Sequence, residues 1–309
     1  MKHKVATVSI TLALAFATTA QQPLPNASAP SRPAVIERIA PRLRTYEFKS
    51  NVLDRKTRFQ VLLPASYSTR RNIGRSYPVL YLLHGLTGKY DNWTQRTAIE
   101  KYSVKYQLII VMPDGGDSWY TDSVTVAADR YETYVISELI PVIDRAFRTI
   151  SEKQSRAIAG LSMGGYGAVK FGLKHPEMFS LVGSFSGALD APLRGQDQKS
   201  WRPSIMTVFG SENSPARATN DVYALAKQLS DEQIKILPYF YISCGTEDTV
   251  NFKRNEEFAD LLVAKKIPHE YRHFPGAHSW TVWDSEIQEF LRLARAKLKL
   301  TVRSVPKNI

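Results

Sequence analysis

The sequence predicts an α/β fold in which helices flank a doubly wound, mostly parallel sheet, with a short cap insertion. Continuous apolar runs at residues 77–83 and 108–112 have the composition of strands that are buried on both faces of a parallel sheet. Segments with helical spacing of apolar residues lie between such runs, most clearly at residues 131–147. Strands that alternate with helices along a chain are typical of a doubly wound sheet, so these observations together predict the fold class.

Residues 1–20 have the pattern of a secretory signal peptide. A basic start at residues 2–4 precedes an apolar run at residues 5–17, and the segment ends at the small residue Ala20. This pattern predicts cleavage after Ala20 and a secreted or periplasmic protein. The apolar run is too short to span a bilayer comfortably, so no stable membrane insertion is expected. Residues 21–41 are rich in Pro, Ala and Ser, which predicts a flexible linker.

Residues 42–300 are predicted to form one catalytic domain, followed by a basic C-terminal tail at residues 301–309. The strands are expected at residues 45–49, 58–63, 77–83, 108–112, 157–159, 181–185, 237–243 and 271–274. The helices are expected at residues 97–105, 131–147, 222–229, 255–265 and 285–298, with a further helix that ends at about residue 175 because Pro176 follows. Pro141 predicts a local irregularity in its helix. Residues 190–220 are predicted to be an irregular insertion that covers the site.

Composition and charge limit the classes of partner. Of the 309 residues, 43% are hydrophobic, as in an ordinary globular protein. The formal net charge is +12, but Lys and Arg are scattered along the chain, so no nucleic-acid partner is expected. The single cysteine, Cys244, cannot form an internal disulfide. The histidines lack metal-ligand spacing, so no metal or cofactor is predicted, and we expect a monomer or a weak homo-oligomer.

The motif around which the chain is organised is Gly160-Leu161-Ser162-Met163-Gly164, which stands between a short apolar segment and a helical one. Glycine, serine and glycine at alternate positions between a strand and a helix form the nucleophile elbow of an α/β-hydrolase. The turn holds the serine at a strained backbone angle, and small flanking residues let the strand and the helix approach closely. A glycine-rich turn with a solvated serine is the alternative that the pentapeptide alone leaves open.

A serine that transfers acyl groups needs a histidine base, an acid that orients the histidine, and donors for the oxyanion. On an α/β-hydrolase sheet these follow in the chain order serine, acid, histidine, on loops at the carboxyl ends of the strands. His269 precedes the last predicted strand and His273 lies inside it, whereas His278 follows it, where a loop can return over the sheet. His278 is therefore predicted as the base, with a structural loop histidine as the alternative.

Asp248 is predicted as the acid, because it follows the strand at residues 237–243 on a loop that would lie beside the loop of His278. Its neighbour Glu247 would point elsewhere, into solvent. Asp190 follows the preceding strand and is the outside candidate, since some hydrolases take their acid from that position. A solvated loop aspartate is the alternative for Asp248.

Two backbone N–H groups are predicted to form the oxyanion hole. The first belongs to Met163, the residue after the nucleophile, at the start of its helix. The second belongs to Leu86, on the loop after the strand at residues 77–83, where Gly85 and Gly88 allow the N–H to turn inward. His84 is predicted to brace this loop rather than to act as a second base.

Several aromatic residues fall on loops that are predicted to surround the active face. Trp119 and Tyr120 come after the strand at residues 108–112, Trp280 follows the predicted base, and Trp93 follows the predicted oxyanion loop. Together they predict an acyl or aryl pocket that binds substrate. Burial in the core is the alternative for each of them.

Longer motifs extend the pattern beyond the elbow. They are LLHGLTG at residues 82–88 with Asn92-Trp93, VMPDG at 111–115, GLSMGGYGA at 160–168, CGTED at 244–248 and GAHSW at 276–280. Through these motifs the chain, over about residues 46–298, resembles the esterase D-type family of α/β-hydrolases. That family includes tributyrin-type carboxylesterases, feruloyl and acetylxylan esterases, S-formylglutathione hydrolases and mycolyltransferases. The resemblance implies the same site residues as chain order does: Ser162, Asp248, His278, Leu86 and Met163.

The expected activity is that of an exported serine carboxylesterase acting on short-acyl or hydroxycinnamoyl esters, such as acetyl or feruloyl esters of small molecules or carbohydrates. An S-formylglutathione hydrolase-like thioesterase fits less well, because those enzymes usually act in the cytoplasm and tend to carry histidine where Tyr166 stands. A mycolyltransferase-type acyltransferase is disfavoured, since no long-chain acyl groove or matching disulfide pattern is evident. A catalytically inactive hydrolase fold that binds carbohydrate is the alternative from another class.

Overall fold

The computed structural model describes residues 34–37, 42–195 and 202–300 of the chain. The predicted signal peptide at residues 1–20 and the predicted tail at residues 301–309 lie outside the described residues. Within the described part, no helix is both long enough and apolar enough to cross a bilayer.

The described strands form one sheet in the order β1-β2-β3-β5-β4-β6-β7-β8-β9. Strands β4 to β9 run parallel to one another, and β1 to β3 form an antiparallel edge beside β5. This topology confirms the predicted doubly wound, mostly parallel sheet. The strands are β1 Ala34–Glu37, β2 Leu43–Ser50, β3 Arg55–Leu62, β4 Val79–Leu83, β5 Ile109–Pro113, β6 Arg156–Leu161, β7 Leu181–Phe185, β8 Tyr239–Gly245 and β9 His269–Phe274.

Helices cover both faces of the sheet, and the apolar strands lie fully buried between them, as at Val79–Leu83. They are α1 Asn92–Arg96, α2 Ile99–Tyr102, α3 Tyr131–Thr133, α4 Ile140–Ala146, α5 Met163–Lys174, α6 Arg202–Phe209, α7 Pro215–Asn220, α8 Val222–Gln228, α9 Asp231–Lys235, α10 Phe252–Ala264 and α11 Trp280–Lys297. Single 3₁₀ turns occur at Arg70–Asn72, Ser103–Lys105, Lys153–Ser155 and Ala191–Leu193.

The irregularity predicted at Pro141 is present and extends over more of the helix than expected. Tyr134–Leu139 forms a π-helical segment between α3 and α4, and Pro141 occupies the first turn of α4. Proline has no N–H to donate to the preceding turn, so the regular i to i−4 hydrogen bonding cannot continue through it.

Two predictions about irregular regions were wrong. Ala34–Glu37, inside the predicted linker, pairs antiparallel with β2, because the free edge of a strand offers unpaired N–H and C=O groups and Val35 and Ile36 favour strand. The insertion at residues 190–220 contains α6 and α7 rather than irregular chain. Pro215 starts α7, and the side chain of Ser214 accepts a hydrogen bond from Ala216 N at 3.3 Å, a combination that favours a helix N-terminus.

The parallel strands bring their carboxyl ends to one edge of the sheet. Leu83 pairs in register with Gly160, and Leu161 pairs with Phe185, so the loops after β4, β6 and β7 begin at the same level. The loops after β8 and β9 begin beside them, where Gly245 pairs with Phe274. In sheets of this kind ligands bind at this edge, and all the predicted catalytic residues follow these strands.

Candidate active site

Ser162 lies on a sharp turn between β6 and α5, with φ at 51° and ψ at −116°. Its N–H donates to Phe185 O at 3.0 Å, and its carbonyl accepts from Ala188 N at 3.1 Å. A Cβ added at Gly160 would lie 2.5 Å from the carbonyl carbon of Gly164, which is why glycine is required here. Ser162 is only 7% exposed, so it is held inside a built turn and is not a freely solvated serine.

The imidazole of His278 lies between Ser162 and Asp248. His278 Nε2 is 3.1 Å from Ser162 Oγ, and His278 Nδ1 is 2.6 Å from Asp248 Oδ2. The three residues come from the loops after β6, β8 and β9, in the chain order used to predict them. A serine hydroxyl, an imidazole and a carboxylate connected in this way can transfer a proton from the serine to the imidazole.

The loops of Asp248 and His278 are fastened to each other. Glu247 N donates to Gly276 O at 2.9 Å, and Thr246 N donates to Phe274 O at 2.8 Å. A Cβ added at Gly245 would lie 2.1 Å from Gly276 O. The backbones of the two loops therefore approach each other at a distance that only glycine allows. This contact fixes the distance between the acid and the imidazole.

Asp248 is buried and keeps its charge. Burial raises the pKa of Asp248, but the hydrogen bond and charge of His278, with further hydrogen bonds from Asn251, outweigh burial and hold the pKa below its usual range. Burial and the charge of Asp248 raise the pKa of the Cys244 thiol. The protonated thiol donates to Asp248 Oδ2 at 3.8 Å, so the single cysteine supports the carboxylate.

Asn251 is a further member of this cluster that sequence reasoning missed. Its N–H donates to Asp248 Oδ1 at 3.0 Å, and its Nδ2 lies 3.2 Å from His278 Nδ1. Arg194, at the base of the insertion, donates from its terminal nitrogen to Asn251 Oδ1 at 2.8 Å. No local sequence pattern indicates this link, because its two partners are 57 residues apart along the chain.

The other candidates considered for base and acid lie elsewhere. Asp190 pairs with Arg194 at 2.6 Å and with Arg254 at 3.4 Å. Glu247 is exposed, as expected. His269 begins β9 instead of preceding it and lies 2.8 Å from the carbonyl of Ile267, whereas His273 lies inside β9, as expected.

The loop after β4 passes directly over the serine. A Cβ added at Gly85 would lie 3.5 Å from the Cβ of Ser162 and 2.6 Å from Leu161 Cδ1, so a larger residue would push the loop away. The N–H groups of Leu86 and Met163 donate to none of the described residues, and their role in an oxyanion hole stays a prediction.

His84 braces this loop. Its Nε2 accepts from Gly115 N at 2.8 Å, so its Nδ1 carries the proton and donates to Gly85 O at 2.7 Å. The hydroxyl of Tyr120 donates to His84 O at 3.1 Å. The imidazole is 1% exposed, which agrees with the structural role expected from the sequence.

A cleft of about 390 Å³ opens above Ser162. Its walls are residues 85–88, Asn92, Arg96, Leu161, His278, Trp280 and Trp283. A smaller cavity of about 220 Å³ lies at the opposite edge of the sheet, beside Pro78 and Leu108, and contains none of the candidate catalytic residues.

Only one of the four aromatic residues predicted to bind substrate, Trp280, lines this cleft. Trp93 is buried beneath Trp280, with ring centroids 5.5 Å apart, and its indole N–H donates to Leu83 O at 3.0 Å. Trp119 and Tyr120 are fully buried. The prediction that Trp119 and Tyr120 lie at the rim of the substrate pocket was wrong. Their positive φ angles of 55° and 50° turn both side chains back into the core.

Trp283, in the first turn of α11, also lines the cleft. Its ring meets the His278 imidazole edge to face at 4.8 Å, and its indole N–H donates to Ser186 Oγ at 3.2 Å. Within the described residues, no group of three or more His, Cys, Asp or Glu side chains is placed to hold a metal ion.

A family model described as "Putative esterase" matches residues 50–293. The chain belongs to this esterase family. An acetyl esterase from Caldicellulosiruptor saccharolyticus is 28% identical over 250 residues, which cover 78% of this chain and 93% of that protein.

Solved structures of the esterase family share the fold. A ferulic acid esterase is 28% identical, with a TM-score of 0.71 over 83% of this chain and 98% of that one. FphF, a fluorophosphonate-binding serine hydrolase of Staphylococcus aureus, is 25% identical, with a TM-score of 0.73 over 82% of this chain and 97% of that one. The chain therefore has the α/β-hydrolase fold and is a carboxylic ester hydrolase.

Proposed function

We propose that this esterase is an exported serine carboxylesterase in which Ser162, His278 and Asp248 form the catalytic triad. The observation that carries the proposal is the pair of contacts made by His278, at 3.1 Å to Ser162 Oγ and 2.6 Å to Asp248 Oδ2. Its relation to a fluorophosphonate-binding serine hydrolase supports a serine nucleophile. Export rests on the signal-peptide pattern of residues 1–20.

In the acylation step, Ser162 Oγ attacks the ester carbonyl carbon while its proton passes to His278 Nε2. Asp248 accepts the hydrogen bond of His278 Nδ1, which keeps the imidazole in the tautomer that can take this proton. The N–H groups of Leu86 and Met163 donate to the oxyanion that forms. One such donor contributes on the order of 3 kcal/mol of transition-state stabilisation.

Collapse of the tetrahedral intermediate breaks the bond to the alcohol oxygen, which leaves with the proton that His278 carries. Water then attacks the acyl-enzyme, and His278 takes one proton from it and returns that proton to Ser162 Oγ as the acid leaves. The side chain of Trp283, which meets the His278 ring edge to face, limits movement of the imidazole between these two half-reactions.

The proposed substrates are short-acyl or hydroxycinnamoyl esters, such as acetyl or feruloyl esters of small molecules or carbohydrates. A cleft of about 390 Å³ is the size of a small-molecule site. The tryptophan surfaces of Trp280 and Trp283 suit a planar acyl or aryl group. An acetyl esterase and a ferulic acid esterase among the similar proteins support the same substrate class.

The proposal is tested by comparing kcat/KM for acetyl, butyryl and feruloyl esters in the wild type and in Ser162→Ala. We expect turnover of at least one ester in the wild type and a loss of about 10³-fold or more in Ser162→Ala, since the variant lacks the nucleophile. Circular dichroism checks that the variant is folded. Undiminished hydrolysis by Ser162→Ala would exclude the proposed mechanism.

A further inference from the structure

The Ser162 cleft has an unequal distribution of charge. Apart from His278, Arg96 is the one ionisable side chain among the described residues that line it, and none of those residues is acidic. The other wall residues are glycine, leucine and tryptophan together with Thr87 and Asn92. One carboxylate beside the wall, Asp117, accepts a hydrogen bond from Thr87 N at 2.6 Å. The side chains that form the described wall therefore present one positive charge and no negative charge.

Arg96 is held at this position by a short, well-anchored helix. It is the last residue of α1, and Asn92, one turn earlier on the same face, also lines the cleft. The helix is fixed to the end of β4, because the buried indole of Trp93 donates to Leu83 O at 3.0 Å. The side chain of Thr94 donates to Gln60 Oε1 of β3 at 2.8 Å.

The guanidinium of Arg96 has no counter-ion within the described residues. It is exposed and forms neither an ion pair nor a hydrogen bond with any of them. Two carboxylates near α1 are occupied elsewhere. Asp91 accepts from Gln95 at 2.9 Å, and Asp284 accepts from Ala98 N at 2.8 Å and from the Tyr102 hydroxyl at 2.6 Å.

We propose that Arg96 is a specificity-determining residue that selects esters carrying a carboxylate. A guanidinium presents paired N–H donors that match the two oxygens of a carboxylate, and its charge is permanent at any working pH. Because the side chain is exposed, solvent screens it, and we expect the carboxylate to raise kcat/KM about fivefold. The inference rests on the proposed esterase activity and adds a second recognition element to the same cleft.

The carboxylate of the substrate belongs either to the alcohol part or to the acyl part of the ester. Two pairs of substrates distinguish these two cases. The first pair is 4-(carboxymethyl)phenyl acetate and its carboxamide, in which a methylene group separates the charge from the phenol leaving group. The second is the mono-4-nitrophenyl ester of adipic acid and the carboxamide of that compound. Within each pair the charge is the main difference and only one ester bond is present, so the ratio of the two kcat/KM values reports the effect of the charge.

The variants are Arg96→Gln and Arg96→Glu, with Arg71→Gln as the matched control. Arg71 is also exposed, has no partner among the described residues and does not line the cleft, so its replacement lowers the net charge equally. We expect the wild type and Arg71→Gln to prefer the carboxylate in one pair by about fivefold. Arg96→Gln should abolish the preference and Arg96→Glu should reverse it.

The inference is overturned if neither pair shows a preference for the carboxylate, or if Arg96→Gln retains the ratio of the wild type. The neutral members of each pair report separately on the proposed function. If the wild type hydrolyses them and Ser162→Ala does not, the esterase mechanism stands even when the inference about Arg96 fails. In about 1 M salt the Debye length falls to about 3 Å, so a preference caused by Arg96 should shrink.

Discussion

Ser162 adopts a backbone conformation that residues other than glycine rarely occupy, with φ at 51°. Such a conformation costs roughly 1–3 kcal/mol and persists only where the surroundings enforce it. Here the enforcing contacts are the hydrogen bonds of Ser162 N to Phe185 O and of Ala188 N to Ser162 O. In this conformation the Ser162 hydroxyl lies 3.1 Å from His278 Nε2, so the cost of the backbone angle accompanies the placement of one oxygen atom.

The acid assignment gives a prediction at the scale of one residue. Asp248→Asn should lower kcat by about 10²–10⁴-fold, because an amide in place of the carboxylate favours the wrong tautomer of His278. Asp190→Asn is the matched control, since Asp190 pairs with Arg194 and Arg254 and not with His278. The measurement is kcat from steady-state kinetics at neutral pH. A larger loss of kcat in Asp190→Asn than in Asp248→Asn would contradict the assignment of Asp248 as the acid.

Helix α5 carries the serine at its N-terminus and a buried charge in its middle. The ammonium of Lys170 is fully buried and donates to Glu132 Oε2 at 2.8 Å, Tyr120 O at 2.7 Å and Thr121 Oγ1 at 2.7 Å. Tyr120 in turn donates to His84 O in the loop that carries Leu86. Lys170 thereby ties the serine helix to the segment that braces the oxyanion loop.

Lys170→Met should lower the free energy of unfolding by about 3–5 kcal/mol, because it leaves the carboxylate of Glu132, whose side chain is only 12% exposed, without its fully buried partner. Lys174→Met is the matched control. Lys174 also lies 2.8 Å from Glu132, but its side chain is 27% exposed, so we expect a loss of about 1 kcal/mol or less. Urea unfolding at neutral pH measures both. Equal losses in the two variants would contradict the role given to Lys170.

The same ion pair predicts a dependence of stability on pH. Burial raises the pKa of Glu132, but Lys170, His175 and Lys174 outweigh burial and hold the pKa far below its usual range. A carboxyl whose pKa is lower in the folded state stabilises the protein above its unfolded pKa of about 4.3. That contribution is lost as the pH falls further. Between about pH 6 and pH 3, the free energy of unfolding should fall less in Glu132→Gln than in the wild type. An equal fall in both proteins would contradict this prediction.

At the scale of the whole molecule, the sequence predicted most of what depends on local pattern and chain order. The strand at Leu181–Phe185 has the predicted limits, and its apolar residues Leu181, Val182 and Phe185 lie between serines at both ends. His278 and Asp248 lie beside Ser162, because the carboxyl ends of parallel strands meet at one edge.

The features that the sequence did not predict depend on contacts between distant segments. Trp119 and Tyr120 follow a strand like other residues at the active edge, and only their positive φ angles send them into the core. Helix α7 of the insertion is held by hydrogen bonds to residues distant in the chain, which no local pattern indicates. Its buried Arg217 donates to Pro192 O at 2.7 Å and to Arg194 O at 3.1 Å.

Covalent trapping with a fluorophosphonate tests the central claim most directly, because the reagent reacts only with an activated serine. Intact mass and peptide mapping of the native protein should show one adduct, located on Ser162. Ser162→Ala and heat-denatured protein should take up none. An adduct on any other serine of the native protein, or labelling of Ser162→Ala, would contradict the account.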